Sequence, residues 1–116
     1  MTRDVDAELK KINSDSYGAG SLFKLVGNVC VPIAAAAAEA LIRQFPDDKD
    51  VMKKLLDMLH YETMQREVMG TTRLSHWTVG CLLDSRRSHL VLAAEGEISR
   101  WPEPDKQDLT WYLNNR

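Results

Sequence analysis

Two cysteines, Cys30 and Cys81, are all that this chain of 116 residues contains. They are too few for a disulfide scaffold, and each reads as a small buried hydrophobe in a reducing compartment. An excess of charge is lacking as well. Fifteen Lys and Arg against 17 Asp and Glu leave a formal net charge of -2, so charge alone recommends neither nucleic acid nor a membrane surface as a partner. Long apolar runs are also missing. Lys24 and Glu39 interrupt the one stretch that approaches the ~20 residues needed to span a bilayer, which argues against a membrane span. Met1 to Asp6 offer no apolar signal core behind a basic start, and a cytoplasmic location is expected on that ground.

The chemistry of sites is equally sparse. The six glycines form no phosphate-cradling loop. His60, His76 and His89, taken with the two cysteines, include no pair at the spacing of about two to four residues that preorganises a chelate, so neither metal nor cofactor is expected. Cys81 and His76 do not share a helix face, which removes the simplest thiol and base pair. Glu95 with Glu97, and Asp47 with Asp48, sit where a turn and a helix start want carboxylates rather than as an acid and base pair. No enzymatic activity is expected from this inventory.

What remains is a chain with 44% apolar and 28% charged residues, enough to bury a real core within one domain over residues 1–116. Val5, Leu9 and Ile12 recur at helical spacing and predict a first short helix. After the polar, glycine-containing loop of residues 14–20, with Ser21 as a cap, Pro32 divides the next apolar region into helices over about 21–30 and 33–45. The second carries five consecutive alanines, Ala34 to Ala38, a packing seam either within the monomer or between two copies. Asp47 is expected to cap a helix running to Met69 on the stripe Val51, Met52, Leu55, Leu56 and Leu59. A further helix starts near Thr72, with Leu74, Trp77 and Cys81 on one face. Residues 89–101 read as helix, with a β-hairpin turning at Glu95 and Gly96 as the alternative. Asp105 caps a last helix that presents Leu109, Tyr112 and Leu113. The fold class is therefore an all-α, single-domain bundle of five or six helices.

Such a chain reads as a non-enzymatic cytosolic protein–protein interaction module: a small adaptor, regulator or inhibitor. Met52, Met58, Met64 and Met69 fall on one expected helix, and thioethers suit surfaces that must adapt to a partner. Met58, Tyr61 and Met64 are the candidate contact residues, and the partner is another protein or, in a homodimer, a second copy of this chain. The alternative is a DNA-binding transcriptional regulator with a helix-turn-helix or winged helix around residues 60–101. Gly70 would be its turn, Thr71, Thr72, Arg73 and Ser75 its reading surface, and Arg66, Arg73, Arg86 and Arg87 its basic contacts. Trp77, Trp101 and Trp111 are expected as anchors of the core or of an interface.

Overall fold

In the computed structural model, which describes residues 2–69 and 72–116, the elements follow in the order α1 (Thr2–Asn13), α2 (Ala19–Val26), α3 (Val31–Gln44), α4 (Lys49–Met58), a 3-10 turn (Glu62–Gln65), β1 (Glu67–Met69), β2 (Thr72–Arg73), α5 (Leu74–Asp84), α6 (Ser88–Ile98) and α7 (Glu103–Asn115). The protein is mostly all-α, as expected, with seven α-helices among the described residues rather than five or six. None of them is long and apolar enough to cross a membrane.

Pro32 sets the centre of this arrangement. It lies in the first turn of α3, where its missing amide proton has no helical partner to lose, so it starts the helix instead of kinking it. From there the alanines carry α3 through the interior: Ala34, Ala37, Ala38, Ala40 and Leu41 are completely buried. Helices α1, α2 and α5 all pack on α3, an approach that small side chains permit. The seam thus lies within the monomer. Helix α2 begins one turn earlier than Ser21 suggests, capped by Gly18, with the Leu22 amide donating to the Gly18 carbonyl at 3.1 Å.

Two expectations about α4 fail. Its cap is Asp48, not Asp47, accepting from the amides of Asp50 and Val51 at 3.1 Å each. The helix also stops at Met58 and does not reach Met69. The chain turns there because its next groups find partners elsewhere: Gln65 Nε2 donates back to the Leu59 carbonyl at 2.9 Å, and Arg66 reaches across to α2. Met64 then lies wholly inside, beneath the Thr78 hydroxyl of α5.

The strands β1 and β2 pair antiparallel, Glu67 opposite Arg73 and Met69 opposite Thr72. They stand where a helix-turn-helix turn was expected; Gly70 and Thr71 themselves lie outside the described residues. The hairpin alternative at 89–101 is not realised, because α6 spans it, burying Leu90, Ala94 and Glu97 along one helical face. Helix α7 starts after Pro102 with Pro104 and Asp105 in its first turn, and it buries Leu109 and Tyr112.

Gly80 explains how close α5 and α7 come. A Cβ at this position would stand 3.0 Å from Tyr112 Cε2 and 3.0 Å from Arg116 Nη1. Gly80→Val adds two further methyl groups in that space and is expected to cost about 2 kcal/mol through overpacking. Urea denaturation followed by circular dichroism measures this; an unchanged midpoint would show that α7 yields freely.

Candidate functional site

A groove of about 850 Å³ opens between α3, α5 and α7. Its floor is apolar: Ile42 from α3, Pro46 from the following turn, Trp77 and Cys81 from α5, and Tyr112 from α7. Trp77 and Cys81 stand one turn apart on α5, which places both on the face turned to α3. The Trp77 indole N–H is satisfied by the Ala35 carbonyl at 3.0 Å, which fixes the ring and leaves only its carbon surface to a visitor. Burial, reinforced by the charges of Glu39 and Asp84, pushes the Cys81 thiol up to about 12. It is therefore protonated at neutral pH and acts as apolar floor rather than as a nucleophile.

Charge sits on the rim. Arg43 pairs with Asp15 at 2.7 Å, Arg87 with Asp47 at 3.3 Å, and Arg116 with Asp84 through two bonds of 2.6 Å each. The Arg116 guanidinium also lies 5.9 Å from the centre of the Tyr112 ring. Each rim arginine is thus matched by an aspartate. Glu39, exposed on α3, forms no ion pair among the described residues, so the groove's unmatched charge is negative.

The residues singled out from sequence do not assemble into either expected site. Met58 and Met64 are in the core, closed off from a partner, and of that trio Tyr61 alone is exposed, at 57%. Met52 and Met58 are on α4 while Met64 is on the 3-10 turn, so the methionine stripe is split. Arg66 faces inward: its Nε and Nη2 donate to the Thr63 and Val26 carbonyls at 2.8 Å each, and its Nη1 to the Asn28 carbonyl. Arg73 is held by Asp105 at 3.0 Å. Arg86 is exposed in the turn between α5 and α6 with φ of 61°, and beside it Arg87 joins the groove rim. Arg66, Arg73 and Arg87 are each engaged in separate contacts, whereas Arg86 is simply exposed, and among the described residues the strands β1 and β2 take the place of the helix expected to end at Gly70. Trp101 is buried and Trp77 partly so, as anchors should be, whereas Trp111 is 56% exposed.

A second, smaller cavity was not foreseen. Of about 110 Å³, it lies where the end of α6 meets the starts of α5 and α7, with His76, Arg73 and Asp105 in its wall and Arg100 and His60 at its edge. The His76 Nδ1 accepts the Arg73 amide at 3.1 Å, which leaves the hydrogen of the neutral ring on Nε2. Burial, then the Arg73 charge, lowers the His76 pKa, against a smaller opposing pull from Asp108 and Asp105. The ring is therefore a neutral donor. Nearby, Glu97 is buried on α6, with one carboxylate oxygen in contact with His60 Nε2 and the other accepting from Arg100 Nη2 at 2.7 Å. Among the described residues no three His, Cys, Asp or Glu side chains are placed to hold a metal ion together.

Comparison of the chain with protein-family models, curated proteins and solved structures gives no match.

Proposed function

We propose that this chain is a non-enzymatic, cytoplasmic protein-interaction module, an adaptor, regulator or inhibitor, that takes a segment of a partner protein into the groove between α3, α5 and α7. The observation that carries the reading is the pairing of an apolar, aromatic floor with a rim whose basic groups are already neutralised. A volume of about 850 Å³ falls within the roughly 300–1,000 Å³ range of ligand-holding clefts. The half-buried Trp77 ring, fixed by its hydrogen bond to Ala35, supplies contact area at little cost in side-chain entropy, the property that makes aromatic residues binding anchors. The unmatched Glu39 gives the partner its second feature: an apolar anchor side chain with a Lys or Arg beside it.

Selection of peptides from a random phage-displayed library on the folded protein tests this. Enriched peptides are expected to combine an aromatic or aliphatic anchor with a neighbouring basic residue, and to shift the amide resonances of Ile42, Trp77, Cys81 and Tyr112. Glu39→Lys, an exposed change, is expected to weaken them about tenfold, or ~1.4 kcal/mol. No enrichment, or resonance shifts confined to other surfaces, would remove the groove as the binding site.

A further inference from the structure

The small cavity at the start of α5 carries an inference independent of the groove. His76 is 1% exposed, and its Nε2 has no hydrogen-bond partner among the described residues. A buried donor left unpaired is costly, and in a native protein it calls for an explanation such as a ligand. The surroundings state what that ligand must be. Around the cavity stand the Arg73 guanidinium, whose bonds to Gln65 and Asp105 both use Nη1, and the Arg100 guanidinium, whose bond to Glu97 uses Nη2. Both keep further N–H groups free. The first turns of α5 and α7 also contribute to the wall through Ser75, His76 and Asp105, and helix starts favour negative charge. Leu59, Trp101 and Pro102 make the apolar part of the lining, Asp105 is its one carboxylate, and His76, Arg73, Arg100 and Ser75 supply hydrogens or positive charge.

We propose that this cavity binds a carboxylate, with His76 Nε2–H donating to one oxygen and the arginines at the wall and rim to the other. A guanidinium fork suits a carboxylate or a phosphate alike; a carboxylate is preferred because its single charge is repelled less by the neighbouring Asp105 carboxylate than a dianion would be. The carboxylate belongs either to a free small acid or to the end of a peptide.

Nuclear magnetic resonance of the His76 ring nitrogens in the labelled full chain reads the site directly. Acetate is used for free acids, N-acetylglycine for a peptide end, N-acetylglycinamide as the uncharged control and inorganic phosphate as the competing anion. A saturable shift of the His76 Nε2 signal with acetate or N-acetylglycine, absent with the amide, is expected, and the tighter of the two acids identifies the source. Arg73→Gln and the more exposed Arg100→Gln, at a side-chain exposure of 73%, are each expected to weaken binding about tenfold, as loss of a charge-assisted bond does. Circular dichroism checks that both variants fold, and Arg100→Gln, at the rim, keeps the test valid if Arg73→Gln does not. No saturation with either acid, equal response to the amide, tighter binding of phosphate, or undiminished affinity in the folded variants would each overturn the proposal.

Discussion

Leucine in place of Ala38 is expected to destabilise the chain by about 3 kcal/mol, with a denaturation midpoint that does not depend on protein concentration. The reason lies in α3. Ala38 is completely buried, as are Ala34, Ala37 and Ala40, and α1, α2 and α5 converge on this helix. A larger side chain must push a neighbouring helix outward or leave its preferred rotamer, and overpacking of a dense core costs about 1–3 kcal/mol and occasionally more. The upper end applies here, because leucine adds three carbons where packed helices leave no path for relief. Helix propensity is no confounder, since leucine forms helices almost as well as alanine. Urea denaturation at two well-separated protein concentrations measures both parts. If the alanines instead lined a seam between copies, the wild-type midpoint would fall on dilution, and leucine would separate the copies while leaving each one folded.

That distinction was beyond the reach of the sequence, although the seam itself was plain in it. Local signals have short range. Pro32, the polar run before Ala19, and Pro102 and Pro104 around the start of α7 each mark a boundary within a few residues, because turn and cap chemistry acts on its own neighbourhood. The end of α4 had no such mark. It is imposed by Gln65 reaching Leu59 and Arg66 reaching α2, contacts that exist only once the chain has folded, whereas the apolar pattern by itself continues to Met69. The same cause misplaced the methionines: their spacing suited an adaptable edge, but Thr78 and the rest of α5 cover Met64.

The groove was half visible, since Trp77 and Cys81 were already on one face. Its other walls, Ile42 and Tyr112, come from helices distant in sequence. His60 and His76 drew attention as donors, but His60 meets a buried glutamate on α6 and His76 a backbone amide, neither of which a spacing rule can reveal. Glu97 illustrates the limit best. A carboxylate in an apolar helix looks like a solvent-facing residue until its partners, His60 and Arg100, close over it.

Arg66→Met is expected to remove about 3 kcal/mol of stability, and Arg66→Lys to recover only part of it. The guanidinium bonds the carbonyls of Val26, Asn28 and Thr63, so it ties the end of α2 to the segment after the 3-10 turn. Carbonyls at a helix end have no partner within the helix, and their partial negative charge favours a cation. Hydrogen bonds involving a charged group are worth roughly 1.5–3 kcal/mol each. Three around one partly buried head do not add in full, which places the total near the single-bond upper end. Methionine keeps the aliphatic bulk of the stem and so isolates loss of the head group from loss of packing. Lysine keeps the charge, but its compact ammonium lacks the planar fork needed to reach three separated carbonyls. Amide hydrogen exchange should show faster exchange at the end of α2 and in β1 in both variants, with lysine intermediate. If lysine restored full stability, the effect would be one of charge at the helix end alone. If methionine cost nothing, Arg66 would be a surface residue after all, and its donors would be free for the phosphate contacts that its sequence context first suggested.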